Sequence, residues 1–269
     1  MTKQTKFKIW AGVSSFEPKA AAIEILNYFL IASATLGAIL GLVIGSLVAI
    51  VGVPDRISTI IGFIIFLASL IVGSTSYKQS GGDESKMIGA RMVALEDYPR
   101  LGSLVEGVSA SIGIELPHVM LLDELQINAI VIVGPQRSAC LVVTTGALEL
   151  LTRLELEAIV ARELVKVRSG EVFYHARLRS FRKIFSRYLS KILPTSYTKE
   201  MMGRDIAGDI GAVTVTRFPP ALISALQRGD QVKSVKRVVN DRRLFAQFWF
   251  IPELDGVTAD ERIMEMSEF

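Results

Sequence analysis

The 269-residue sequence predicts an α+β protein, mainly α: an N-terminal transmembrane helical hairpin followed by a domain that carries a small β-sheet. Three observations predict it. Ile25–Val53 and Ile57–Ser74 are two apolar runs without a single charge, separated by Pro54-Asp55-Arg56. Later in the chain, three short stretches rich in β-branched residues lie close together. Runs with helical spacing stand on either side of them.

Composition narrows the class. Apolar residues make up 50% of the chain and charged residues 21%, so polarity is segregated rather than absent. That excludes disordered, collagen-like and disulfide-scaffold classes. The one cysteine, Cys140, permits no internal disulfide and no cysteine-based metal cluster. The two histidines, His118 and His175, limit metal chemistry in advance. A net charge of +3 suits contact with an anionic surface and makes no case for nucleic acid.

The first apolar run exceeds the roughly 20 residues a helix needs to cross a bilayer core. It is also too long and too late for a signal peptide. Neither run has a polar face, so together they read as a hairpin in lipid. Lys3, Lys6, Lys8 and Lys19 precede the hairpin, Lys78, Lys86 and Arg91 follow it, and the turn holds only Arg56. The positive-inside rule then places both ends in the cytoplasm. The expected organisation is 1–20 as a cytoplasmic segment, 21–77 as the hairpin, 78–84 as a linker and 85–269 as a cytoplasmic domain. Ser33, Gly37, Gly41, Gly45 and Ala49 form a small-residue stripe at every fourth position. Such a stripe admits a close helix, either the chain's own second helix or another transmembrane protein, a second copy included.

Beyond the linker, helical spacing begins near Ser85 and runs toward Leu95, and again over Pro99–Ile112, where Gly113 ends it. Pro117–Leu122, Ala129–Val133 and Ala139–Thr144 read as strands. A short helix follows from Thr145-Gly146 to Leu151, then a long one from Arg153 to Val172. From 176 to 191 the segment carries Arg177, Arg179, Arg182, Lys183, Arg187 and Lys191 without an acid, alternating with Leu178, Phe181, Phe185 and Leu189. It reads either as an amphipathic helix on an anionic membrane surface or as a surface helix packed on the core.

Several landmarks occur together and in order. They are GlyAlaArg (89–91), Tyr98-Pro99, Leu116-Pro117, Asn128-Ala129, ThrThrGlyAlaLeuGluLeuLeu (144–151), Glu155–Ala161, Arg204–Asp209, Ala221–Leu226 and Ala259–Ile263. Over roughly residues 25–265 the chain resembles the HtpX-like membrane zinc metallopeptidases of the CAAX-protease superfamily. The resemblance implies a zincin-like cytoplasmic domain in the bacterial cytoplasmic membrane. Family chemistry uses His-Glu-x-x-His, because residues i and i+4 share a helix face and two imidazoles can hold one zinc while the Glu activates its water. Here the matching residues are Arg162, Glu163, Leu164, Val165 and Lys166. Glu163 alone matches a catalytic residue. Asp205 stands where the family has a Glu as third ligand, and Asp209 where a carboxylate would orient a zinc histidine.

Two cations about 6 Å apart on one helix face repel a divalent metal, and the Glu171/His175 pair reads as solvated surface. Arg162, Lys166, Asp205 and Asp209 are therefore expected to form a degenerate metal site, a charge-swapped network with no metal and no cofactor. The resemblance further implies that Asn128, Ala129, Ile130 and Val131 lie on a strand whose edge either pairs with peptide backbone or is covered by the chain itself, between which the sequence does not decide. The resulting expectation is a membrane-anchored, non-catalytic pseudopeptidase acting as scaffold, client-binding or regulatory subunit. Two alternatives stand beside it: an active zinc endopeptidase with a non-standard site, and a purely structural subunit of a membrane complex.

Overall fold

The computed structural model describes residues 18–189, 196–231, 245–246, 248–252 and 258–267. These residues pack as two units. One holds the hairpin through Ser80 together with the helical segment from Arg177 onward, and the other holds Gly81–Ala176 and the described residues from 196 to the C-terminal end.

In the first unit, helix α1 spans Pro18–Ile50 and helix α2 spans Asp55–Gln79. Helix α1 starts ahead of its apolar run and ends at Ile50, three residues short of Val53, and α2 passes both ends of its own run, because charge ends a membrane span without breaking a helix; Lys19, Glu24 and Lys78 simply continue the helical backbone. The reversal between them uses Gly52 at φ 92°, a conformation that side chains resist. Membrane-compatible stretches cover Ala22–Ile50 and Asp55–Gln79, and only 28% and 11% of their most apolar windows are buried. That exposure fits a lipid-facing hairpin and not the core of a water-soluble domain, and the chain is a membrane protein. The small-residue stripe lies against α2. A Cβ at Gly41 would sit 2.6 Å from the Gly62 carbonyl oxygen, and one at Gly45 would sit 3.2 Å from that of Ser58. Gly73 in turn faces Ser33. Ser33, Gly37, Gly41 and Gly45 thus lie against the chain's own second helix, the first of the two readings the stripe allows.

The second unit is built around a four-stranded sheet. Helix α3 (Ser85–Ile88) stops at Gly89, whose φ of 72° ends it well short of the expected Leu95. Freed from the helix, Arg91–Met92 becomes strand β1, paired with Met120 and Leu121. Helix α4 (Pro99–Ile112) leads to β2 (His118–Leu122), β3 (Ala129–Val133) and β4 (Ala139–Thr144), in the spatial order β1-β2-β4-β3. β4 runs parallel to β2 and antiparallel to β3, which leaves β3 as an outer strand. One sheet face, through Val119, Ala129, Leu141 and Val143, joins the large core with α4 and the helices that follow. The other, through Met120, Ile130, Ile132, Cys140 and Val142, packs on Ile88, Phe248 and Trp249. Burial, with the charge of Asp83, pushes the Cys140 thiol up to about 11, so it is inert at neutral pH.

Helices α5 (Thr145–Leu150) and α6 (Arg153–Ser169) follow. A reciprocal Thr152/Glu155 capping box starts α6, and Gly170 at φ 82° ends it three residues before the expected Val172. Helix α7 (Glu171–Leu189) begins in this unit, and from Arg177 it belongs to the first. There Phe181 and Phe185 pack on Phe29 of α1, with ring centroids 5.1 and 5.8 Å apart. The described chain closes with α8 (Ser196–Thr216), α9 (Pro219–Gln231) and α10 (Ala259–Met266).

A leucine at Gly41 should force the two membrane helices apart and cost about 1–3 kcal/mol of stability. The same change at Ala38, on the exposed face of α1, should cost little. Thermal unfolding of the detergent-purified Gly41→Leu and Ala38→Leu variants compares the two, and equal melting temperatures would contradict this packing.

Candidate functional site: a buried charge network

Helix α6 runs through the core with most of its circumference covered; Leu156, Ala158–Ala161 and Leu164 are all inaccessible. Arg162 and Glu163 are equally inaccessible, and Lys166 nearly so. Ions in such a place need partners, since each costs several kcal/mol to desolvate. Helix α8 supplies two. Gly208 lies between Asp205 and Asp209, beside the stems of both Arg162 and Lys166.

Arg162 uses its whole fork. Nε donates to Asp209 Oδ1 at 2.8 Å, Nη2 to Asp205 Oδ1 at 2.7 Å and Nη1 to Glu163 Oε1 at 2.5 Å. Lys166 Nζ donates to both oxygens of Glu163, at 2.9 and 3.0 Å. The backbone N–H of Val131 reaches Glu163 Oε2 at 3.1 Å. A carboxylate has about four lone-pair sites, and these contacts occupy those of Glu163.

A third cation completes the cluster. Arg262 on α10 donates from Nε and Nη2 to the two oxygens of Asp209, each at 2.6 Å, and from Nη1 to the Phe250 carbonyl at 2.6 Å. The Phe250 ring lies under both guanidinium groups, 5.5 Å from Arg162 and 5.1 Å from Arg262. Arg162, Lys166 and Arg262 thus face Glu163, Asp205 and Asp209, and the formal charges cancel.

The charges do not share burial equally. Burial opposes the Arg162 cation, but Asp209, Glu163 and Asp205 outweigh it and raise its pKa. Burial would raise Asp209, yet Arg262 and Arg162 hold it below the usual carboxylate range. Lys166 goes the other way: burial first, then repulsion from Arg162, lowers its pKa against the pull of Glu163 and Asp205. Its ammonium is thus disfavoured where the Arg162 and Asp209 ions are favoured.

Zinc does not fit this donor set. Where two neutral imidazoles would face a metal there are two ammonium-type cations, already bonded to the carboxylates that would otherwise be ligands. Among the described residues, no three His, Cys, Asp or Glu side chains come together as a ligand set.

The other expected residues divide. Asn128 serves the backbone: its amide donates to Ile251 O at 2.9 Å and its Oδ1 accepts from Ile251 N at 2.9 Å. Ala129, Ile130 and Val131 lie on β3, all buried. The basic segment departs from a free cationic face. Arg179 is buried, and Arg177 is half-buried, donating to Tyr77 Oη at 2.8 Å and stacking over that ring. Arg182 is half-buried and Lys183 exposed; the Arg187 side chain and Lys191 lie outside the described residues. Part of the basic face is thus covered, with Arg179 buried and Arg177 against Tyr77. Glu171 and His175 are buried rather than solvated, with the His175 ring 4.9 Å from that of Phe248.

No family model matches the chain. It is similar to a Protease HtpX homolog of Dictyoglomus thermophilum, 28% identical over 228 residues, which are 72% of this chain and 74% of that protein. A Protease HtpX homolog of Dictyoglomus turgidum is 26% identical over 62% of this chain and 66% of its own length. One from Tropheryma whipplei reaches 32% identity over 112 residues, which are 41% of this chain and 38% of that protein.

Removing Arg162 with Arg162→Met should cost about 3–5 kcal/mol, because it leaves three buried carboxylates facing two cations. Lys166→Met should cost at least about 2 kcal/mol less, since Lys166 is charged against its preference. Chemical denaturation of both variants tests the order, and equal losses would contradict the unequal sharing. Asp209 lies below its unfolded value near 3.9, so its contribution is complete above about pH 4 and disappears as pH falls through the folded value. Asp209→Asn should lower stability at neutral pH and flatten that acid limb, which a melting-temperature series from pH 7 to pH 3 would resolve.

Proposed function

We propose that this HtpX-like chain, whose relatives point to a membrane metalloprotease family, is a non-catalytic member. It is anchored by its hairpin, with both termini and the main domain in the cytoplasm, and acts as a scaffold or regulatory subunit of a membrane protein assembly. The observation that carries the reading is the saturation of Glu163. A general base must have a lone pair within reach of the water it activates, and all those of Glu163 are committed to Arg162, Lys166 and the Val131 amide. With Arg162 and Lys166 in place of neutral ligands, the residues that would generate a metal hydroxide instead tie α6 to α8 and to β3. This supports a role in which the fold is kept for its surface and its membrane context.

A purely structural role is the second reading. One observation favours it: the outer edge of β3 is bonded within the chain, as detailed below.

The test is elemental analysis of the detergent-purified full chain beside an Arg162→His/Lys166→His double variant. Wild type without stoichiometric zinc, and a melting temperature indifferent to chelator, are the expected results. The double variant should gain zinc, with Asp205 within reach of the same space. Stoichiometric zinc in the wild type, or chelator-sensitive cleavage of an unfolded substrate, would overturn the reading.

A further inference from the structure

As the outer strand, β3 turns the N–H and C=O groups of alternate residues away from β4. On the outward side, Ala129 N–H meets Asn128 Oδ1 at 3.1 Å, Val131 N–H meets Glu163 Oε2 at 3.1 Å and Val133 N–H meets Glu84 Oε2 at 3.3 Å. Two outward carbonyls are also taken: Ala129 O accepts from Phe250 N at 2.9 Å, and Val133 O accepts from Glu84 N at 2.8 Å. Glu84 therefore gives Val133 both a donor and an acceptor, as the facing residue of an antiparallel strand would, with its carboxylate standing in for a backbone carbonyl.

The segment around Glu84 is built for that contact. Gly81 reverses the chain at φ 67°. Asp83 Oδ1 accepts from Ser85 N at 2.9 Å and Ser85 Oγ at 2.6 Å, which fixes the turn into α3. Ile88 anchors the end of α3 in the core beneath the sheet. Glu84 itself is 5% exposed, so its carboxylate is withdrawn from water to serve β3. The segment also follows directly on the end of α2 at Gln79.

We infer that residues 81–84 are an intramolecular latch: Glu84 pairs with Val133 and closes the β3 edge against an extended polypeptide. Two kinds of closure coexist on this edge. The one at Val131 is fixed, because Glu163 is held by Arg162 and Lys166. The one at Val133 is made by Glu84, in the short connector, and is lost when that side chain is removed or the connector is lengthened. Opening returns the main-chain donor and acceptor of Val133 to a passing strand. This rests on the non-catalytic reading only in taking Glu163 as a strand cap rather than a base.

The experiment uses the full chain in detergent, with fluorescein-labelled β-casein as an unfolded probe. Wild type is compared with Glu84→Ala and with a variant carrying four extra glycines after Gly82 and Glu84 intact. In both variants, amide exchange at Val133 should accelerate at least tenfold while that at Val131 stays unchanged, and casein affinity measured by anisotropy should rise at least tenfold. Unchanged exchange would show that Glu84 does not close the edge. Faster exchange with unchanged affinity would show a merely structural contact, and either result overturns the latch. If Glu84→Ala does not fold, the glycine insertion decides. Casein fragments in the same samples would count against the non-catalytic reading alone, because the latch is judged on exchange and affinity.

Discussion

The guanidinium of Arg162 is the point on which the second unit depends. It has no contact with water, and its three carboxylate partners come from two helices. Through Asp209 it meets Arg262 and so fixes α10, and through Glu163 it reaches Lys166 and the edge of β3. An unpaired ion at any of these positions would be prohibitive, so the six groups are meaningful only as a set. Geometry follows from that demand. Close approach of α8 to α6 shows at Gly211, where a side chain would run into Val165.

Much of the fold was legible because period and punctuation agree. The β3 and β4 boundaries follow from short apolar runs bounded by turn residues, and α4 from its stripe and its closing glycine. The failures are instructive in the same terms. Gly89 and Gly170 are both left-handed and both end helices that hydrophobic spacing alone would extend. A two-residue strand such as β1 has no periodicity to detect; it exists because β2 offers it a ladder.

The site was half legible. The resemblance set Arg162 and Lys166 of α6 opposite the acids at 205 and 209, and in the structure Arg162 bonds both acids directly. Arg262 was missed, although two signals pointed to it. Three carboxylates against two cations leave one charge unbalanced. Thr258 and Glu261 also spell a capping box that starts a helix just before Arg262, and that box is formed. Phe250 and Glu84 carried no local signal, for their roles arise only where distant segments meet. The basic segment stood open between two readings, since the sign of a charge does not say whether its stem is covered.

The cancellation of charge has a consequence for reversibility. Changing Arg162 or Lys166 alone to a neutral ligand leaves an odd carboxylate in a sealed interior, while changing both leaves a site shaped for a divalent ion. The two steps are therefore strongly non-additive. Each single step therefore passes through a sealed interior with one carboxylate too many, whereas the six groups of the present chain balance.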